Sequence, residues 1–228
     1  MGSSNRCSSA GPYCGTAIVS LRWLAIFPVL AALFAGGCVG GLTREYPERV
    51  RYVLDIHRGG IPRERSSAGT PAGALVVRPM ATSAAYERRG LVYAMPGDRL
   101  ESDFYHEFFV PAPSMLTSVT RAWLRDSGLF ESVVGTGSLV DARYVLEGSV
   151  RRLVGDFREK DAPASHAVLQ FLLLENTSMG PVVRHQADYD RRVPIDGTEP
   201  GDVVGGLTLA VSEALAALEA DLARILDP

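Results

Sequence analysis

Apolar residues in this chain recur with two periods, one helical and one extended. Val204, Leu207, Val211, Leu215, Leu218, Leu222 and Ile225 are separated by steps of 3, 4, 4, 3, 4 and 3. That is a single apolar stripe and predicts an amphipathic helix. Its polar side is read as Glu213, Glu219, Asp221 and one Arg224. An acidic face repels anionic lipid, so the stripe is expected to pack on the protein's own sheet rather than on a membrane. A second helix is expected over about 113–127: Pro113 and Ser114 suit its start, Leu116, Val119 and Trp123 fall on one face, and Gly128 can close it in a left-handed conformation.

The remaining apolar segments are short or alternate with period two. "VRYVLDI" (50–56), "ALVVRPM" (74–80), "GLVYAM" (90–95) and "LFESVV" read as strands, with a loop over 59–73 and a turn at Pro96 and Gly97. "DRLESDFYHEFFVPAPSML" (98–116) reads as a polar strand running into an aromatic cluster. In "ARYVLEGSVRRLVGDF", Tyr144, Leu146, Val150 and Val154 share one parity, with Glu147 and Arg151 on the other. "HAVLQFLLLE" (166–175) is apolar on both parities and is expected in the centre of the sheet. "VVRHQADYDRRV" (182–193) sets Val183, His185, Ala187 and Tyr189 against Arg184, Gln186, Asp188 and Asp190, with 176–181 as the hairpin between the two. These elements predict an α/β (α+β) fold: a mixed, largely antiparallel sheet packed by two main helices in a single domain over 50–228.

The first forty residues follow neither pattern. Arg6 and Arg22 precede an uncharged stretch from Trp23 to Ala35, and then come Gly36, Gly37 and Cys38. A bilayer span needs about 20 apolar residues, so this run has the length of a signal h-region. Small residues before the cysteine suit a signal peptidase that binds the segment extended in a narrow groove. The segment resembles a bacterial lipobox, which implies a signal peptide over 1–37, lipidation of Cys38, and a lipidated tether over 38–49. About ten tether residues reach roughly 30 Å at full extension, which keeps the domain near its membrane. Cleavage before Cys38 would remove Cys7 and Cys14, leaving no partner for an intramolecular disulfide. The alternative is a plain secretory signal or an amphipathic anchor, with Cys38 incidental.

Composition narrows function mainly by exclusion. The chain is 46% hydrophobic and 21% charged with a net charge of −3, and its arginines are scattered among acids, so no nucleic-acid partner is expected. His106 and Glu107 open a zinc-helix motif that fails at Val110, where the second histidine should stand. His57, His106, His166 and His185 lie far apart in sequence and are read as solvated or hydrogen-bonded. "GTGS" (135–138) is too short for a phosphate loop, "GGLT" (205–208) sits inside a helix, and no Gly-x-Ser-x-Gly elbow occurs. The protein is therefore expected to be non-enzymatic, with no catalytic residue, no metal and no cofactor.

The order of features resembles the ABC-type transport auxiliary lipoproteins, the family that includes the paraquat-inducible C-type lipoprotein. The resemblance rests on the lipobox, "RYVLDI", "ALVVRPM", "LVYAM", "FYHEFFVPAPSML" leading to Trp123 and Gly128, "ARYVLEGSVRRL", "HAVLQFLLLE" and "ALAALEADLARIL". Tyr93 stands where that family often has a tyrosine, and Phe109 near its usual tryptophan. The resemblance implies a role beside MCE-type transporters that move lipids between inner and outer membranes. The implied partners are an MCE-domain periplasmic protein and its ABC permease and ATPase, with ring-shaped homo-oligomers as in related systems. Val39 and Gly40 lack the aspartate that retains some lipoproteins at the inner membrane, so an outer-membrane anchor facing the periplasm is expected. Phe104, Tyr105, Phe108 and Phe109 are the candidate partner face, with core packing the competing role. "ARYVLEGSV" also resembles lipoproteins that activate cell-wall synthases and the amino-terminal domain of Tol-system proteins.

Overall fold

The computed structural model describes residues 48–59 and 71–226. Cys38, the signal segment 1–37 and most of the tether lie outside the described residues. The described chain carries β1 (Val50–Tyr52), β2 (Leu75–Val77), β3 (Ala81–Thr82), a 3-10 turn (Ala84–Tyr86), β4 (Gly90–Met95), β5 (Arg99–Phe108), α1 (Ala112–Ser127), β6 (Val133–Gly135), β7 (Tyr144–Asp156), β8 (Ala164–Thr177), β9 (Gly180–Pro194) and α2 (Pro200–Leu226).

The sheet is organised around β7. On one side β7 pairs antiparallel with β8 along its whole length, and β8 pairs antiparallel with β9. On the other side three short strands share it, all parallel: β2 at its start, β3 at its middle and β4 at its end. β6 extends β2, and β5 and then β1 extend β4. The long ladders are thus antiparallel and the short ones parallel, giving the expected mixed α+β domain with two helices.

The inner face of β7–β9 carries the core. Leu169, Phe171 and Leu173 of β8 are fully buried, and α2 lays Val203, Leu207, Ala210, Val211, Ala214, Leu215, Leu218 and Leu222 against this face. By length and composition α2 could cross a bilayer, but its stripe is largely spent on the sheet. The outward residues Val168, Leu172 and Leu174 are only half-buried, so β8 is central in pairing yet covered on one side alone. α1 ends where expected, at Gly128 with φ of 74°, a conformation that costs glycine nothing.

Four expectations need correction. The ladder of the first strand stops at Tyr52. Burial nevertheless continues with period two through Leu54, Ile56 and Arg58, because the extended chain leaves the sheet edge and crosses the helices, where the Leu54 N–H meets Met115 Sδ of α1 at 3.4 Å. The segment 74–80 is likewise shortened: only β2, Leu75–Val77, is strand within it, and β3 starts after it at Ala81. Val154 does not share a face with Tyr144, Leu146 and Val150. A bulge between Val150 and Arg152 flips the phase, so Leu153 faces Ala167 on the α2 side while Arg152 and Val154 turn to the opposite face, where Val154 is still buried. Finally, Glu219 is not on a solvated face: it is 5% exposed, inside the helix–helix seam.

Candidate functional site

The four aromatics proposed as a partner face are divided by the structure. Phe108 is 3% exposed and belongs to the core, opposite Tyr52 of β1. Tyr105 is half-buried, with its ring edge-on to Phe104 at 5.2 Å. Phe104 and Phe109 are 59% and 57% exposed, at the edge where β1 pairs only with the last three residues of β5. Val50 and Val53 are also exposed at this edge, and the Arg49 guanidinium lies 4.5 Å from the centre of the Phe104 ring. An aromatic face under a cation is an attractive contact of the cation–π kind, so Arg49 orders Phe104 without covering it.

Asp103 shapes this edge. The pairing of β4 with β5 slips between Gly90 and Val92, leaving 103–106 as a bulge. Asp103 Oδ1 fills the bulge by accepting the N–H groups of Tyr105 and His106 at 2.8 and 2.9 Å, while Oδ2 accepts from the Tyr93 hydroxyl at 3.1 Å and meets His106 Nδ1 at 3.0 Å. Burial alone would raise the Asp103 carboxyl, but these hydrogen bonds outweigh it and hold the group below its usual range. Burial and the Asp103 charge push the Tyr93 hydroxyl well above its ordinary value, so it stays a neutral donor. Asp103 is thus a positioning residue for Phe104 and Tyr105. The local sign was an aspartate two residues before the tyrosine whose N–H it caps.

Each histidine has a carboxylate nearby. His57 meets Asp55 at the surface, at 2.7 Å. His185 Nε2 lies 2.9 Å from the Tyr189 hydroxyl, which itself donates to Asp221 of α2 at 2.8 Å and so ties β9 to the helix. His166 Nε2 lies 2.7 Å from Asp190, and its Nδ1 lies 3.4 Å from Arg152 Nη1. Among the described residues no group of three or more His, Cys, Asp or Glu side chains is placed to hold a metal ion.

The outer face of β7–β9 holds a charge network that periodicity alone did not reveal. Asp156 is fully buried; it accepts from Arg158 Nε and Nη2 at 2.8 and 2.7 Å and from Arg192 Nε at 3.3 Å. The Arg158 hydrogen bonds lead burial in setting its charge, so the carboxyl lies well below the usual range. The network exists because the bulge in β7 turns Arg152, Val154 and Asp156 outward together.

No family model matches the sequence, and no curated protein matches it significantly. The fold is similar to that of the Xanthomonas campestris protein XCC0632, described as family DUF330, with a TM-score of 0.57 and 20% identity over 65% of this chain and 83% of that one. It is also similar to an uncharacterised protein, with a TM-score of 0.57 and 14% identity over 76% and 98% of the two chains. At such identities what is shared is the architecture, a single α+β domain with a mixed sheet.

Proposed function

We propose that this protein is an envelope lipoprotein, anchored at the outer membrane through Cys38, that serves an MCE-type lipid transport system as a non-catalytic auxiliary component. The observation that carries the reading is the exposed aromatic edge at Phe104 and Phe109 beside β1. Exposed aromatics held by a rigid bulge have the composition of a binding hot spot. The edge starts twelve residues after Cys38, a span of at most about 40 Å at full extension, so its partner must work close to the membrane. The order of elements and the lipobox-like segment supply the MCE-domain protein as that partner.

The decisive experiment is affinity capture of the solubilised full chain with mass spectrometry, beside metabolic palmitate labelling. Label on the wild type that disappears in Cys38→Ser, with capture of an MCE-domain protein lost in Phe104→Asp with Phe109→Asp, is expected. Absence of label removes the anchor; capture of a cell-wall synthase or a Tol-type complex instead removes the transport reading.

A further inference from the structure

On the outer face, between the β4–β5 turn and β7, lies a cleft of about 230 Å³. Arg99 at the start of β5, Arg152 of β7 and Arg158 just after β7 line it, with Asp98 as the only acid among the described lining residues. Met95, Leu100 and Val154 supply apolar walls. We infer that this cleft is a binding subsite for a phosphate ester, with Arg152 as its anchor.

Arg152 is the residue that argues for a ligand. It is half-buried, yet among the described residues no carboxylate lies within ion-pair distance of it. Its neighbours hold it without neutralising it. His166 Nε2 lies 2.7 Å from Asp190, and its Nδ1 lies 3.4 Å from Arg152 Nη1 and 3.9 Å from Asp156 Oδ2. The other neighbour is Tyr86, a buried side chain that lines the same cleft. A half-buried cation with no carboxylate paired directly to it has lost part of its hydration, and an incoming anion makes up that loss. Arg158 differs: it is locked onto Asp156 through Nε and Nη2 and brings its remaining donors to the cleft in a fixed direction. Arg99 is engaged by Glu101 at 3.0 Å on the exposed rim.

The chemistry of the ligand follows from the donors and the space. Guanidinium donors arriving from β5, from β7 and from the turn after β7 match the several oxygens of a phosphate better than the two of a carboxylate. The volume is below the ~300–1,000 Å³ of sites for drug-sized ligands, so the cleft admits a headgroup-sized ester and no acyl chain. The apolar walls suit the carbon side of such an ester. Both a soluble phosphate ester and a phospholipid headgroup offer this chemistry; the headgroup source rests on the transport reading above, whereas the anion site does not.

The test uses the full chain in a neutral detergent and phosphorus NMR, with inorganic phosphate and glycerol 3-phosphate as free probes and phosphatidylglycerol doped into the micelles as the lipid probe. Saturable binding is expected, weakened about tenfold or more in Arg152→Gln. In Asp98→Asn binding should tighten several-fold, because an acid is removed from the wall while Asn tolerates the positive φ of 56° at that turn. If Arg152→Gln does not fold, by circular dichroism, the Asp98→Asn comparison decides. Binding of phosphatidylglycerol with this same dependence assigns the headgroup; binding of the free esters alone keeps the anion site and removes the headgroup. No saturable binding of any probe, or binding indifferent to both substitutions, overturns the inference. Failed capture of an MCE-domain protein would leave these titrations unaffected, so the two readings fail separately.

Discussion

Arg58 and Glu219 stand 161 residues apart in sequence and meet as a buried ion pair, with Arg58 Nε 3.1 and 2.9 Å from the two carboxylate oxygens and Nη2 2.5 Å from one of them. Trp123 of α1 donates its indole N–H to the same carboxylate at 2.8 Å, so one acid on α2 joins both helices to the segment that follows β1. At 8% and 5% exposure neither charge has ready access to water. The hydrogen bonds that Arg58 donates to Glu219 raise its guanidinium further above the ordinary value, so Arg58 stays charged.

Breaking such a buried pair from one side costs about 3–5 kcal/mol, whereas replacing both partners with apolar side chains of similar volume costs far less. Glu219→Leu and Arg58→Met should each destabilise the fold strongly. The double variant Arg58→Met with Glu219→Leu should be more stable than the sum of the single losses implies. Urea denaturation of the four proteins gives the coupling; simple additivity would show that the pair is not a unit.

Asp156 makes stability dependent on acid. Its folded carboxyl lies well below the ordinary value, led by the Arg158 hydrogen bonds, so the folded state binds that proton more weakly than the unfolded chain. A depressed carboxyl contributes fully above the unfolded value of about 3.9 and loses its contribution as pH falls through the folded value. Asp103 acts in the same direction. The melting temperature should therefore hold between pH 7 and about 5 and fall below about 4. Asp156→Asn should melt lower at neutral pH, and its gap from the wild type should narrow on acidification. A gap that stays constant down to pH 2 would mean the Asp156 charge does not contribute.

Much of the architecture was legible because it is written in period. The α2 stripe was readable since all seven of its apolar positions fall within an arc that one sheet can cover, and β4, α1 with its Gly128 stop, and the β8–β9 hairpin were readable for similar local reasons. What stayed hidden were the points where one residue breaks the period. The bulge beside Arg151 moves Val154 to the opposite face, and Gly148 and Ser149, the nearest residues of turn type, come before the slip and do not locate it. Glu219 lies four residues after Leu215 and next to Leu218, on the flank of the stripe; its charge suggested water, and only a cation arriving from a distant segment makes its burial tolerable. The candidate partner face was half legible for the same reason. Aromatic character was plain in the sequence, but whether Phe104 or Phe108 turns outward depends on the Asp103 bulge.

Gly206 sets a helix-propensity gain against a packing loss. It lies inside α2, where alanine would favour the helix by about 1 kcal/mol. Yet a Cβ there would stand 2.5 Å from Ser165 Oγ and 2.7 Å from the side chain of Ile195, and Ser165 is held in place by donating to the Val203 carbonyl at 2.8 Å. Overpacking of this kind costs about 1–3 kcal/mol. Gly206→Ala should therefore destabilise in chemical denaturation, while Gly205→Ala, with open space at its Cβ, should stabilise. The reverse order would mean that α2 does not sit so close to β8.

Phe104 and Phe108 lie four residues apart on β5 and should respond oppositely to truncation. Phe108→Ala removes a buried ring and leaves a cavity, at a cost of about 3–5 kcal/mol. Phe104→Ala removes a ring that is 59% exposed and braced mainly by Arg49 and Tyr105, so stability should change by no more than about 0.5–1 kcal/mol. If Phe104 is a binding anchor, its truncation should weaken partner capture while the melting temperature hardly moves, and photo-crosslinker placed at 104 or 109 should join the protein to a second polypeptide. Crosslinks confined to the monomer, together with a large loss of stability in Phe104→Ala, would assign the ring to folding and remove the β1–β5 edge as a partner face. The two measurements separate the roles because an exposed ring kept for binding lowers affinity when lost, whereas a packed ring lowers stability first.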